Sequence, residues 1–586
     1  MSRRHSRRVL LRRFGAAGVT GVAASVAGCS GFPTGDEETD DGESGGGDDE
    51  ADGEDDGEDG GVVDRTDDEQ DDDPNEGPSV DLGPPVEAID FVVPTVEVNA
   101  DRNELAHLTV ETWEELGVAV NVVEVPFEEQ VERTLISHDF DASLLGWGGT
   151  PERIDPHVFL TNLHHSGNDE AGGQNAPGFD DPAYDELVET QATQLDREER
   201  RETVQAAQAV LANEQPRTFV ANEGGVHTYD AGHISNVGPS LGEGLSSFWN
   251  AVEAEPVDGD VLRIGSTVAL SSFNPLDPIT VGNRRVVELL YDRLYRLDRE
   301  GRPTPWAATG DPVMTDERTY IVELRSDTTF HDGEAVTVED VKFSVELFAD
   351  YSNSFLEPID EIDVSGNELT FHLAEPFAPF RATALSSVAI LPKHVWDGRS
   401  NPVVDADDES VGSGPFRLAD WNHGDELRLE AYEAHFDPPA VDRLVRLSNA
   451  DSSALFRDLE AGRLDAVDEV PRGSAIELVE NANELETVPY HHTGFVSISY
   501  NTRREPLDDV HVRRALGRAV PKSRYVDEIR DGMGTVAHSP IAEHNAAWYN
   551  PDVERFDLDV DAARTELEKG GYEWDEEGKL HYPADR

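Results

Sequence analysis

The sequence is poor in cysteine, in lysine and in long apolar segments. Its one cysteine, Cys29, cannot form a disulfide bond within the chain. Only five lysines are present, and 47 basic residues stand against 122 acidic ones, a formal net charge of −75. Such a surface repels phosphates and argues against nucleic acid as a partner. After the first 29 residues, no apolar run reaches the roughly 18 residues of a membrane-spanning helix, so we expect no spanning segment there.

The excess of acidic residues indicates adaptation to salt rather than a binding site. Hydrophobic residues make up 37% of the chain and occur in spaced clusters, which is enough for a globular fold. Carboxylates hold water and cations in strong brine, where salt screens their repulsion to within a few Å. The composition is therefore of a haloarchaeal type.

The first 29 residues have the pattern of an export signal. Arg7 and Arg8 belong to a twin-arginine sequence, Ser-Arg-Arg-Val-Leu-Leu, and a short apolar run follows. This run ends in Val-Ala-Gly-Cys, which resembles a lipobox whose cysteine is Cys29. We therefore expect residues 1–29 to be a twin-arginine lipoprotein signal peptide, with Cys29 carrying lipid on the extracellular face of the cell membrane.

Residues 30–85 are rich in Asp, Glu and Gly and contain almost nothing apolar. Such a segment cannot bury enough surface to offset the chain entropy lost on folding, so we expect a solvated acidic tether. After it, residues 88–93, 118–125 and 142–146 have the pattern of strands, and residues 102–115 have the pattern of a helix. This alternation predicts an α/β fold.

Six segments in the later part of the chain resemble one known family, in its own order. They read ELLYDRLYRLDREGRPTPWAA from Glu288, TTFHDGEAVTVEDVKFSVEL from Thr328, AILPKHVWDG from Ala389, VGSGPFRLADW from Val411, DLEAGRLDAV from Asp458 and YNTRREPLDDVHVRRALGRAV from Tyr500. They resemble the family 5 extracellular solute-binding proteins, the oligopeptide-, dipeptide- and nickel-binding receptors of ABC importers. The resemblance covers nearly all of residues 87–586. It implies a two-lobed, periplasmic-binding-protein-like α/β fold of type II.

The order of the remaining segments differs from the family's. DASLLGWGG, which ends at Gly149, and DREERRETVQAAQAVLANEQP, which begins at Asp196, resemble the end of a family member but come first here. The carboxyl terminus stops where the family would continue into a segment like residues 88–102. We therefore expect a circular permutant, while a truncated tandem or an incomplete gene stays an alternative.

The permutation predicts how the chain divides between the lobes. Residues 87–225 and 495–586 would build lobe II, and residues 226–494 would build lobe I with its extra subdomain. A strand at 88–93 and a helix at 562–569 should then share one hydrophobic core. The crossings between lobes, near residues 222–230 and 490–495, are the candidate hinges.

The resemblance also suggests ligand-binding residues at the ends of strands. Trp147, Gly148 and Gly149 end a strand, where an indole and a closely approachable backbone suit a ligand, although a core tryptophan is the alternative. In peptide-binding relatives an aspartate shortly after this tryptophan holds the ligand's amino group. The corresponding position here is Thr150, with Asp155 further on, which leaves the peptide assignment open.

Two further pairs are candidates, with ordinary turn packing as the alternative. Phe273 and Asn274 follow the first strand of lobe I, and Tyr500 and Asn501 end a late strand. The pairs at 164–165 and 491–492 are adjacent histidines, which point to opposite faces of a strand and lack zinc spacing. We expect no metal site and no cofactor.

Catalysis has little support in the sequence, which contains no His-Glu-x-x-His helix and whose one cysteine lies in the export signal. We expect a monomeric, lipid-anchored receptor that is not an enzyme. It would bind a peptide or a similar small solute and deliver it to an ABC permease. The alternatives are a surface scaffold or sensor that has lost transport, and a hydrolytic enzyme.

Overall fold

The computed structural model describes residues 82–149, 151–276, 281–351, 354–403, 410–468 and 485–584. The expected signal peptide, nearly all of the expected tether, and the candidate residues Arg7, Arg8, Cys29 and Thr150 lie outside these ranges. Among the described residues, no helix combines the length and apolarity that crossing a membrane requires.

The strands are short and spread over the whole described chain. They are β1 (Ile89–Pro94), β2 (Val120–Val125), β3 (Ala142–Trp147), β4 (Arg217–Asp230), β5 (Ile234–Ser235), β6 (Glu255–Pro256), β7 (Val261–Ser266), β8 (Tyr295–Leu297), β9 (Pro303–Pro305), β10 (Val313–Asp316), β11 (Thr319–Glu323), β12 (Ile359–Ser365), β13 (Glu368–Leu373), β14 (Phe416–Asn422), β15 (Glu426–Ala431), β16 (Arg443–Ser448), β17 (Ala466–Val467), β18 (Leu485–His491), β19 (Phe495–Tyr500), β20 (Gly534–Val536), β21 (Glu573–Trp574) and β22 (Leu580–His581).

The α-helices alternate with these strands. They are α1 (Val96–Glu115), α2 (Phe127–Val131), α3 (Pro182–Thr193), α4 (Arg197–Glu214), α5 (Phe248–Glu253), α6 (Val281–Leu290), α7 (Val338–Asp350), α8 (Ala384–Ser387), α9 (Lys393–Trp396), α10 (Ser452–Glu460), α11 (Val510–Arg518), α12 (Lys522–Arg524) and α13 (Val560–Lys569). The mixed α/β class predicted from the sequence is confirmed.

One large sheet organises the molecule, and β4 joins its two parts. The sheet has 12 strands in the order β14-β15-β16-β7-β17-β4-β19-β3-β1-β2, and β18 and β20 also pair with β4. The first half of β4 pairs with β19 and β20, and its second half pairs with β17 and β18. We call β1, β2, β3, β19 and β20 the amino-terminal wing, and β7 with β14 to β18 the central wing.

The amino-terminal wing is built as its sequence predicts. The side chains of β1 are buried on both faces except Asp90, and the strand lies parallel to both β2 and β3. A parallel strand covered on both faces needs such a continuous apolar run. The helix α1 begins at Val96, earlier than its apolar pattern indicates, and bends at Asn99, whose backbone is not helical.

The two ends of the described chain meet in this wing. Phe91 of β1 and Leu567 of α13 belong to one buried cluster, which confirms the shared core expected from the sequence. The Val86 N–H donates to the Leu580 carbonyl at 2.9 Å. The imidazole of His581 is 2.7 Å from the carbonyl of Gly83, although 498 positions separate them.

A smaller sheet forms a unit beside the central wing. Its antiparallel strands follow the order β10-β11-β13-β12 and pack with α7 around their own core. At the start of α7 the Thr337 side chain accepts from the Asp340 N–H at 3.3 Å, and the Thr337 N–H donates back to the Asp340 carboxylate at 2.9 Å. This capping box satisfies two N–H groups that would otherwise lack partners.

Candidate ligand-binding cleft

The Trp-Gly-Gly turn lies against the chain segment that crosses between the wings. Phe495, the first residue of β19, pairs with Trp147 at the end of β3. A Cβ on Gly149 would lie 2.5 Å from both the Thr493 hydroxyl and the Gly494 nitrogen. The carbonyl of Gly148 accepts from Arg153. The close approach that was expected for a ligand is thus made by the backbone at Thr493 and Gly494.

The structure places the Trp147 side chain in the core and not in a pocket wall. Its exposure is 1%, and it belongs to a cluster that includes Phe159, Phe219 and Phe495. The Arg217 guanidinium lies 5.4 Å from the ring. The cause is the strand pleat: β3 is buried on both faces, so each of its side chains points into protein.

Asp155 is engaged in an internal ion pair. Its two carboxylate oxygens accept from Arg200 at 2.6 and 2.9 Å, and one of them also accepts from the His157 N–H at 3.0 Å. Burial alone would raise the pKa of Asp155, but the charge and hydrogen bonds of Arg200 lower it overall. A buried carboxylate paired in this way is not available to a ligand's amino group.

The other candidate pairs hold loops in place. The Asn274 amide donates to the carbonyls of Pro402 and Val403 at 2.8 and 2.7 Å, and Phe273 packs on Trp421 with ring centroids 4.3 Å apart. These contacts correspond to the turn-packing alternative.

Tyr500 and Asn501 likewise make internal contacts. The Tyr500 hydroxyl lies 2.9 Å from the Thr218 hydroxyl, and the Asn501 amide donates to the Phe140 carbonyl at 2.9 Å. They join the end of β19 to β4 and to the loop before β3. Both side chains are buried, so neither presents surface to a ligand in this structure.

A pocket opens beside the Trp-Gly-Gly turn, between the segment that follows β3 and the region around α5, β8 and α8. Its empty volume, including space open to solvent, is about 510 Å³. Pro151 and Ile154, which follow the turn in sequence, form one wall. Phe248 and Trp249 of α5 supply apolar surface opposite, and the walls also carry charged groups from Glu243, Glu288 and Arg293.

Contacts beside the pocket hold the segment after β3 close to the middle part of the chain. A Cβ on Gly301 would lie 2.8 Å from Ile154, so this glycine lets the segment after β3 approach the turn between β8 and β9. The His157 ring lies 5.3 Å from the Phe377 ring, edge to face. Inside the pocket, Glu288 and Arg293 form an ion pair at 3.2 Å.

The crossing segment also carries histidines on both of its faces. The His491 ring lies 5.7 Å from that of His544, and the His492 ring lies 5.2 Å from that of Tyr490 on the other face. Burial lowers the pKa of both His492 and His544 to about 4. Within the described ranges, no group of three or more His, Cys, Asp or Glu side chains could hold a metal ion.

The sequence analysis missed the pocket-lining residues Glu243, Glu288 and Arg293. The family resemblance could have indicated two of them, since Glu288 and Arg293 lie in the segment ELLYDRLYRL. No comparable pattern marks Glu243. It reaches the pocket because residues 240–249 fold back beside β8, as the 2.9 Å hydrogen bond from the Leu241 N–H to the Arg299 carbonyl shows.

Comparison with known proteins agrees with the sequence resemblance. Residues 302–585 match the family described as "Bacterial extracellular solute-binding proteins, family 5 Middle". The oligopeptide-binding protein AppA of Bacillus subtilis is 29% identical over 334 residues, which cover 54% of this chain and 60% of AppA. The dipeptide-binding protein of Escherichia coli is 27% identical over 290 residues, which cover 44% of this chain and 54% of that protein. The chain thus spans less than two thirds of each of these relatives.

Two solved structures are similar over part of the chain. The oligopeptide-binding protein AppA of Bacillus subtilis, in complex with a nonapeptide, has a TM-score of 0.46 at 25% identity and covers 56% of this chain and 67% of its own. NikZ of Campylobacter jejuni, in complex with Ni(L-His), has a TM-score of 0.45 at 22% identity and covers 56% of this chain and 66% of its own.

The α/β molecule has the type II periplasmic-binding-protein-like fold expected from the sequence. The family resemblance is confirmed as well. Residues 302–585 match the model of the family 5 extracellular solute-binding proteins.

Proposed function

We propose that this protein is the substrate-binding protein of an ABC importer, which captures a peptide or a similar small solute between two lobes and delivers it to a membrane permease. The observation that carries this proposal is the pocket beside the Trp-Gly-Gly turn, in a chain whose residues 302–585 match family 5. The pocket combines aromatic surface with carboxylates and a guanidinium, which suits a solute that bears both charges, as a peptide does.

The proposed receptor works by closing on its ligand. Lobe II would comprise residues 87–225 and 495–586, and lobe I residues 226–494. The partner exchange of β4 supports this division, because Glu223 pairs with β20 and Gly224 pairs with β18. Hinges at residues 222–230 and 490–495 would let binding energy shift the open–closed equilibrium toward the form that the permease recognises.

The same chain is proposed to be a circular permutant of its family. Support comes from β1, β2 and β3, which precede the matched segment in sequence yet complete a sheet with β19 from within it. Further support comes from the hydrogen bond between Val86 and Leu580. The permutation predicts that the present ends lie close together in this way, because they are consecutive in the family's order.

The permutation predicts that the family's order can be restored without loss of the fold. A chain that starts at Asp260, joins Arg586 to Pro84 and ends at Glu253 should fold, because β4 and every strand of both wings are kept. Thermal unfolding followed by circular dichroism would measure this. A control opened inside β4, between Asn222 and Glu223, should not fold, and a restored chain no more stable than this control would contradict the permutation.

Export and anchoring are part of the proposal and are supported by the sequence patterns. Arg7 and Arg8 would direct twin-arginine export, and Cys29 would carry the lipid. The acidic residues 30–85 would then act as a tether that holds a monomeric receptor at the extracellular face of the membrane.

The proposed function predicts that Glu243→Ala weakens solute binding by about 1–3 kcal/mol, the usual range for losing a charged hydrogen-bonding group. Isothermal titration calorimetry at high salt, with a panel of short peptides, would measure the affinity. Glu255→Ala removes the same group from an exposed position and should leave the affinity unchanged. Equal affinities of both variants would remove Glu243 from the site.

Turnover of a solute would favour an enzyme, and no response across the panel would favour a scaffold.

A further inference from the structure

A positive charge is buried beneath the Trp-Gly-Gly turn. Arg217, the first residue of β4, has an exposure of 0%. It donates to the Ser499 hydroxyl and, at 3.2 Å, to the Gln174 carbonyl, and both of these acceptors are uncharged. Burial lowers the pKa of Arg217 to about 9, and no acidic neighbour raises it again. A guanidinium at this pKa is still protonated at neutral pH.

Three buried hydrogen-bond donors around this charge have no partner among the described residues. They are the Arg217 Nε, the Trp147 indole Nε1 and the Ser497 hydroxyl. A guanidinium and an indole can only donate, so each leaves a polar hydrogen without an acceptor. Polar groups buried in this way are normally paired, and each unpaired one is destabilising.

The register of the sheet brings these donors to one place. Ser499 pairs with Arg217, Ser497 pairs with Phe219, and Phe495 pairs with Trp147. Side chains two positions apart on a strand share a face, so the side chains of Trp147, Ser497 and Arg217 all point to the same side of the sheet. Ser497 lies diagonally between the other two, at the spacing that long side chains bridge.

His164 lies near this cluster. Its ring packs 6.1 Å from that of Phe219, and its Nδ1 donates to the Phe159 carbonyl at 3.0 Å. Burial, and then the charge of Arg217, lower the pKa of His164 well below its usual value. The ring is therefore neutral, and its Nε2 carries a lone pair, so His164 is not one of the donors.

We propose that Arg217, Trp147 and Ser497 bind a small monovalent anion of the chloride class inside the amino-terminal wing. One such ion accepts from all three donors and supplies the negative charge that a buried guanidinium lacks. A water molecule would satisfy hydrogen bonds but would leave the charge uncompensated. An organic carboxylate from the pocket would not reach the donors, since Arg217 and Ser497 are fully buried and Trp147 is almost so.

Bromide replaces chloride in such a site and can be located directly. Crystals of the intact protein grown in sodium bromide should show an anomalous scattering peak beside the Arg217 guanidinium. Absence of that peak, with a water molecule bonded to the indole and the hydroxyl, would overturn the proposal.

A measurement in solution tests the same site independently. The thermal midpoint should rise by about 1 °C for each tenfold increase in chloride, with gluconate holding the ionic strength constant. Arg217→Gln should abolish this increase, whereas Arg457→Gln, which removes an exposed arginine, should retain it. Equal chloride dependence in both variants would contradict the site. If Arg217→Gln does not fold, the bromide experiment on the unaltered protein decides.

Discussion

Lowering the pH from about 6.5 to about 4.5 is expected to reduce the free energy of unfolding by several kcal/mol. Burial lowers the pKa of His157, His492 and His544 to about 4 in the folded protein. In the unfolded chain the same imidazoles titrate near 6.5. Between these values the unfolded state binds more protons, so stability falls as the pH falls. Each histidine contributes about 2 kcal/mol after allowance for its residual solvation.

Neighbouring charges also influence the pKa of His492. It lies near Arg285 and Arg530, whose charges lower its pKa, and near Glu223, whose charge raises it. Burial alone would raise the pKa of Glu223, but Arg102 and Arg530 lower it to about 2. The stability that ionised Glu223 contributes is therefore lost mainly below about pH 4.5, outside the range considered for the histidines.

Urea denaturation at several pH values and constant high salt would measure the effect. In the His544→Gln variant the glutamine side chain does not titrate in this range. The loss in free energy of unfolding between about pH 6.5 and 4.5 should therefore be smaller by about 2 kcal/mol. His107→Gln, at a half-exposed position beside Glu124, is the matched control. If the two variants follow the same curve as the unaltered protein, the buried histidines are not the cause.

Trp147→Ala is expected to lower the free energy of unfolding by about 3–5 kcal/mol, the usual cost of truncating a buried tryptophan. The ring is 1% exposed and packs among the phenylalanines of the core, so its removal leaves a cavity that the surrounding strands cannot fill. Chemical denaturation of the purified variant measures this difference.

Leu195→Ala removes an exposed apolar side chain and should change stability by less than about 0.5 kcal/mol. A Trp147→Ala protein of unchanged stability that had lost its ligand would instead identify Trp147 as part of the pocket wall. The two outcomes are distinguishable because stability and affinity are measured separately.

The boundaries of the strands were largely predictable because their apolar runs and turns are local. β1 and β3 lie within one residue of the ranges expected from the sequence, and β2 begins two residues later. The shared core of β1 and α13 was also predictable, because the family resemblance specifies which segments belong to one lobe. The early start of α1 was not, because residues 96–101 include polar side chains without helical periodicity.

The candidate site was harder to predict, for a physical reason that Trp147 illustrates. A strand covered on both faces has no amphipathic pattern, so its sequence does not say which side chains face a cleft. The glycines beside it signal a close approach without revealing whether a ligand or another backbone approaches. In the structure it is the backbone of Gly494.

The sequence by itself determined the excess of negative charge, the α/β alternation and the family that residues 302–585 match, because composition, periodicity and motifs are properties of neighbouring residues. Only the tertiary structure decided what the chain's polar groups do. Asp155 pairs with Arg200, Ile154 meets Gly301 beside the pocket, and Arg217 comes to lie beside Trp147. Each of these contacts joins residues at least 45 positions apart, and their energies depend on burial and distance, which no local pattern encodes.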